Sequence, residues 1–224
     1  MLIGHFAPAL VAAAMGPRAP KLATAFIAAQ LVDWAFFALA IIGVERMRVE
    51  PGATAMVPFD LYFYPYTHSL AGTAGFAITF GLIVAVTQRN ALAGALSALV
   101  VLSHWLLDLV VHRPDLTLAG GDAHYGLGLW NYPAIAMPLE IALTVGALLF
   151  YTSRTRGPVG PPGVLLVAML VLQAVNWFGP EPAEANLFLY LQALVAFALI
   201  TVIAAWVGEN RHFVRRGGLA APGL

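Results

Sequence analysis

From Ala91 to Val111 the chain carries no lysine, arginine or glutamate. At about 1.5 Å rise per residue, a helix of that length crosses the roughly 30 Å hydrocarbon core of a bilayer. Six further apolar segments, approximately 2–15, 22–43, 66–87, 133–152, 163–178 and 186–207, are set off from it by proline, glycine and charge clusters. Only 10% of the 224 residues are charged and 61% are hydrophobic, against about 25% charged in a soluble domain. No water-soluble fold of this size hides that much apolar surface. The pattern predicts an all-α, polytopic transmembrane bundle with six to seven membrane segments, forming a single integral membrane domain over 1–224. The first segment is short for a span and is expected to enter partway or to tuck against its neighbours. A Gly/Pro linker is expected at Gly157–Gly163.

Formal charge is zero, so nothing points to nucleic acid. The absence of cysteine excludes disulfides and thiolate chemistry. The first fifteen residues lack a basic stretch ahead of their apolar run and do not read as a cleaved signal. Alternating connections share the basic residues unequally. One set, with the C-terminal tail, holds eight: Arg18, Lys21, Arg89, Arg154, Arg156, Arg211, Arg215 and Arg216; the other holds three: Arg46, Arg48 and Arg113. The first set is expected to be cytoplasmic, with the C-terminus inside.

That orientation gathers the rare polar residues of five segments in the outer half of the membrane: His5, Asp33, His68, the His104–His112 stretch and Glu140. At roughly 100° per residue, His104, Asp108 and His112 fall within about one quarter of a helix circumference. Ionisable groups in hydrocarbon cost several kcal/mol each and persist only when paired, hydrated or metal-bound. Imidazole nitrogen and carboxylate oxygen are the ligands of Zn²⁺ and related divalent ions, and three or four of them make a site. His104 and Asp108, one turn apart, therefore read as metal ligands, or else as a hydrogen-bonded pair that ties helices together. His68, behind Tyr64-Pro65-Tyr66-Thr67, is a ligand or an interfacial histidine in an aromatic belt. Asp33 has no basic partner in its own segment and is expected to be a ligand, bridging if two ions are present. His5 is a ligand or an interfacial histidine. His112 is a ligand, a general acid or a solvated end residue. Glu140 either takes a proton from the attacking water or bonds a neighbouring helix. The connection 112–132, with Asp115, Asp122 and His124, reads as a polar cap, Asp60 as an accessory or solvated acid, and Arg113 as a phosphate holder or a snorkelling side chain. Asn176-Trp177 reads as packing.

With Gly4-His5, Asp33, Thr67-His68 and His104-Trp105-Leu106-Leu107-Asp108 in that order, the chain resembles the bacterial membrane-bound metal-dependent hydrolases, described as LexA-binding, inner-membrane-associated hydrolases. The resemblance covers about the first 115 residues; 133–207 match only as additional helices. That family is distantly similar to the zinc-dependent phospholipase C and single-strand nuclease superfamily. The resemblance implies His5, Asp33, His68, His104 and Asp108 as ligands of one or two Zn²⁺ ions, and hydrolysis of phosphoesters by a metal-activated water. The family often carries Pro-Asp-x-Asp where this chain has Leu31-Val32-Asp33-Trp34, and His-Arg where it has His68-Ser69.

The expectation is thus a metal-dependent hydrolase of the bacterial inner membrane, its site facing the outer half. Its partners would be membrane lipids and its substrate a lipid or lipid-linked phosphoester, with Glu140 or His112 as the proton-transfer group. The rivals are a transporter that relays protons or a cation through Asp33, His104, Asp108 and His112, and an accessory subunit without catalysis.

Overall fold

A computed structural model describes residues 1–213; Arg215 and Arg216 of the charge comparison lie outside them. In chain order come a 3₁₀ turn Ile3–His5, α1 (Phe6–Ala13), α2 (Leu22–Ile41), strands β1 (Arg46–Val49) and β2 (Phe59–Phe63), α3 (Leu70–Thr87), α4 (Ala91–Val111), a 3₁₀ turn Leu129–Asn131, α5 (Pro133–Arg154), β3 (Thr155–Arg156), α6 (Gly160–Phe178), α7 (Leu187–Glu209) and β4 (His212–Phe213). Among the described residues six helices, α2 to α7, are long and apolar enough to cross a membrane. Their outward faces are apolar too: Ile78, Leu82, Leu199 and Val202 are each more than half exposed. Apolar surface all round a helix belongs in lipid. The chain is an all-α membrane protein, with two small sheets among the described residues.

The first segment does not span. α1 has eight residues, about 12 Å of helix, and it is packed between α2 and α5 with Phe6, Ala9 and Leu10 fully buried. The third apolar segment starts later than expected. α3 begins at Leu70, because Ser69 is its N-cap and accepts from the Gly72 N–H at 3.1 Å. His68 and Pro65 therefore sit in the preceding loop. The expected linker Gly157–Gly163 already holds the first turn of α6, where Pro161 and Pro162 cost no helical hydrogen bond. Asn90 and Asn186 cap α4 and α7 in the same way as Ser69.

Alternation of the helices puts the two sheets at opposite ends. At one end β3 pairs with β4, and the buried Arg211 donates to Thr152 O at 3.1 Å and Thr155 Oγ1 at 2.9 Å, closing the end of α5. At the other, β1 and β2 form an antiparallel hairpin with Arg48 opposite Asp60, the pair joined at 2.6 Å. The 112–132 connection lies at this end. Its Thr117 and Leu118 carbonyls accept from the Leu70 and Ala71 N–H groups, at 3.0 and 2.8 Å, which α3 itself leaves unpaired.

The core has two apolar clusters. One centres on Phe6, Phe26, Val101 and Met169; the other, nearer the hairpin, on Phe36, Tyr64, Trp105 and Leu116. On α2 the boundary between them falls at Asp33, between Val32 and Phe36; on α4 it falls at His104, between Val101 and Trp105. The polar residues occupy that boundary.

Candidate metal centre

α4 supplies the base of the site. One turn of helix brings His104 Nε2 to 3.1 Å from Asp108 Oδ2. The other ring nitrogen, Nδ1, donates to the Ala29 carbonyl of α2 at 2.8 Å; a carbonyl only accepts, so Nδ1 holds the proton and Nε2 is left facing the carboxylate. His112, at the C-cap of α4, follows the same rule. Its Nδ1 lies on Asp115 Oδ1 at 3.0 Å while its Nε2 faces Asp108 Oδ1 at 3.8 Å, and Trp130 packs on the ring at 4.4 Å.

Three other elements complete it. Asp33 of α2 has Oδ1 at 3.3 Å from His68 Nε2 and 3.6 Å from His104 Nε2. His68 enters from the loop before α3, its carbonyl held by the Trp105 indole N–H at 3.0 Å. His5 comes from the N-terminal 3₁₀ turn with Nε2 3.1 Å from Asp108 Oδ1, and the Met1 nitrogen lies 3.2 Å from the same oxygen. All five residues expected as ligands are thereby brought together. They form two sets, His5–His104–Asp108 and Asp33–His68–His104, in each of which the ligand atoms lie within 4.8 Å of one another. Asp108 divides its oxygens between them, Oδ1 towards His5 and His112, Oδ2 towards His104 and His68.

These separations test whether a divalent ion fits. Tetrahedral zinc with bonds of about 2.0–2.2 Å spaces its nitrogen and oxygen ligands roughly 3.3–3.5 Å apart. The nitrogen–oxygen distances run from 3.1 to 3.8 Å. Although so close to carboxylate oxygens, His5 Nε2 and His104 Nε2 are buried and make no hydrogen bond among the described residues. Buried polar atoms left this way are rare. Four imidazoles converge on two carboxylates, and protonating both His5 and His104 would put like charges about 4 Å apart, at about 4 kcal/mol. A shared divalent cation resolves this with fewer charges. The donor set fits.

Glu140 is elsewhere. Its Oε1 accepts from the Leu2 and Gly4 N–H groups at 2.6 and 3.0 Å, and Oε2 faces Gln173 Nε2 at 3.4 Å. These contacts are those of its helix-bonding reading: the start of the N-terminal segment has unpaired N–H donors, and a buried carboxylate on α5 satisfies them. Gln30 and Gln173 help, the first donating to Leu2 O at 3.2 Å and the second accepting from Ile3 N–H at 3.2 Å. Arg113 is committed to acids, reaching Asp60 and, at 3.4 Å, Asp115. His124 and Asp122 are exposed on the cap and join neither set. Asn176 is exposed at the end of α6.

Sequence reasoning passed over Glu45 and Trp130, and read Asp115 only as part of the polar cap and Thr67 only as the neighbour of His68. Glu45 stands beside Arg46 and Arg48 in a loop and looks like a solvated acid. Only the fold buries it.

Two cavities open on the site. A small one of about 110 Å³ has Asp33, His68 and Asp108 at its floor and Phe37, Phe59 and Leu61 among its walls. A larger cleft of about 530 Å³ under the cap shares His68 and is lined by Tyr64, Arg113 and Asp115. Burial, and after it the negative charge of Asp115, push the Tyr64 phenol well above its ordinary pKa. Comparisons with protein-family models, curated proteins and solved structures give no match.

Proposed function

We propose that the chain is a membrane-embedded, metal-dependent hydrolase that cleaves a phosphoester of a lipid or lipid-linked substrate. The observation that carries this reading is the convergence of His5, His68, His104 and His112 through Nε2 on the carboxylates of Asp33 and Asp108. The resemblance in motif order to the bacterial membrane-bound metal-dependent hydrolases agrees with it.

His5, Asp33, His68, His104 and Asp108 would hold one or two ions. Zn²⁺ suits the nitrogen and oxygen donors. Bound there, it would supply Lewis acidity and bring the pKa of a water from 15.7 down to about 7. The chain's own groups do the rest. Asp115 orients His112, whose Nε2 faces the same cavity and is the proton acceptor for the attacking water. The apolar wall of Phe37, Phe59 and Leu61 receives an alkyl or isoprenyl chain, while the cap cleft takes the polar part of the substrate. By the basic-residue bias the site faces the outer leaflet of the bacterial inner membrane, with the C-terminus in the cytoplasm.

The experiment is metal analysis of purified wild-type protein together with turnover of a chromogenic phosphodiester. At least one equivalent of Zn²⁺, with turnover lost on chelation and regained on adding Zn²⁺, supports the reading. Protein without stoichiometric divalent metal ends it.

A further inference from the structure

We infer that Glu45 is a positioning residue that fixes the tautomer of His68 through the Thr67 hydroxyl, so that His68 presents a bare Nε2 to the site. The inference rests on the metal-centre reading for its purpose, but not for its geometry.

Glu45 is 1% exposed. The end of α2 puts it there: Gly43 takes a positive φ of 75° and the Val44 N–H returns to Leu39 O at 2.9 Å, turning the chain back under the loop that precedes α3. A buried carboxylate needs donors, and this one has three. Oε1 accepts from the Tyr66 and Thr67 N–H groups at 2.8 and 3.0 Å, and Oε2 accepts from Thr67 Oγ1 at 2.6 Å. Thr67 itself is fully buried.

A hydroxyl has one proton to give. Thr67 gives it to Glu45, so towards His68 Nδ1, 2.8 Å away, it has only lone pairs. Nδ1 must be the N–H. In the neutral ring Nε2 is then the nitrogen with the free lone pair, 3.3 Å from Asp33 Oδ1 and 3.8 Å from Asp108 Oδ2. The other ring nitrogen of a ligating imidazole is commonly tied to an acceptor, and losing such a partner costs about 10–100-fold in metal affinity. His104 uses a backbone carbonyl for this and His112 a carboxylate. At His68 the acceptor is a hydroxyl whose polarity is set one residue further out.

The relay makes an asymmetric prediction. In Glu45→Gln the amide oxygen keeps the two backbone N–H groups, and the amide NH₂ faces Thr67 Oγ1 as a donor. The hydroxyl then turns its proton onto His68 Nδ1, and the neutral ring carries its own proton on Nε2, which a metal must displace to bind. Full-length protein in detergent, labelled with imidazole-¹⁵N histidine and read by long-range ¹H–¹⁵N correlation without metal, reports the tautomer, with the His68 signal assigned by its loss in His68→Asn. Zn²⁺ affinity comes from chelator competition. The expected results are Nδ1–H in wild type, Nε2–H in Glu45→Gln, and a 10–100-fold weaker Zn²⁺ affinity in that variant. Thr67→Ser should keep both properties of wild type and Thr67→Val should lose the affinity. A Glu45→Gln protein with the wild-type tautomer and affinity overturns the inference. Should that variant not fold, equal affinities in Thr67→Val and Thr67→Ser overturn it instead. Wild-type protein that takes up no Zn²⁺ refutes the metal reading, and the tautomer comparison still decides the relay.

Discussion

His5 and His104 lie face to face, ring centroids 3.9 Å apart and planes 15° from parallel, each with Nε2 3.1 Å from a different oxygen of Asp108. Two imidazolium rings in that arrangement would repel by about 4 kcal/mol at an effective dielectric of 20. Neutral rings that share a cation with the carboxylate would not.

Asp108→Asn and His104→Ala are therefore expected to abolish stoichiometric metal, since His104 belongs to both ligand sets and Asp108 turns an oxygen towards His5 and another towards His104 and His68. Both proteins should still insert, because the spans and their caps are untouched. Metal analysis of purified variants, with membrane fractionation as the control for insertion, checks this. Metal retained at wild-type level in Asp108→Asn counts against the site.

Removing the metal should loosen the fold. A ligand present at 1,000 times its Kd stabilises the native state by about 4 kcal/mol, and at this chain length each kcal/mol moves Tm by about 2–4 °C. Thermal melts in detergent with and without chelator should differ by roughly 8–16 °C, and Zn²⁺ should restore the higher value.

Glu140 should behave as a structural clamp. Glu140→Ala leaves the Leu2 and Gly4 N–H groups without their acceptor, at about 1–3 kcal/mol for each buried donor, so Tm falls by several degrees and His5 loses its anchorage. Glu140→Gln keeps an oxygen for both N–H groups and should be nearly silent in melting and in turnover. A proton-transfer group would give the reverse for Glu140→Gln, an intact fold with a 10²–10⁴-fold loss of kcat.

Tyr64 should mark an alkaline limit. Its phenol is pushed up from an ordinary value near 10. Above pH 10 the unfolded chain releases this proton while the folded chain keeps it, so stability present below pH 10 declines as pH rises beyond it. The Tyr64 hydroxyl has no hydrogen-bond partner among the described residues, so Tyr64→Phe should melt like wild type at pH 7 and above it at pH 11. Parallel melting curves of the two proteins across that range would contradict the assignment.

Flux separates the transporter rival. The ionisable residues of the site cluster near the hairpin end, and towards the other end α2 and α4 bury Ala25, Phe26, Ala93 and Val100. Proteoliposomes loaded with a pH or zinc indicator should register no flux above empty vesicles.

Much of this was legible beforehand. Hydropathy alone yields the six spans, because an apolar run that must satisfy its own backbone in lipid has no alternative to helix. Four-residue spacing yields His104 and Asp108 as neighbours on α4, and the bias of rare polar residues to one level yields Asp33 and His68. What could not be read is whatever depends on burial that loops create. The β1–β2 hairpin and its Asp60 pairing come from residues that look like an ordinary charged connection. Glu45 becomes an interior acid only once Gly43 turns it inward. Glu140 has the depth of a catalytic acid and the environment of a cap, and depth was all that sequence could supply.

The N-terminal segment has a consequence for biogenesis. Residues 1–13 precede all six spanning helices in the chain, yet their seat is built by Gln30 of α2, Glu140 of α5 and Gln173 of α6. Ile3 waits 170 residues for Gln173. The seat that holds His5 against Asp108 is complete only with α5 and α6 in place, so the cluster depends on helices that follow Asp108 in the chain. Until then the polar cluster lacks the His5 imidazole.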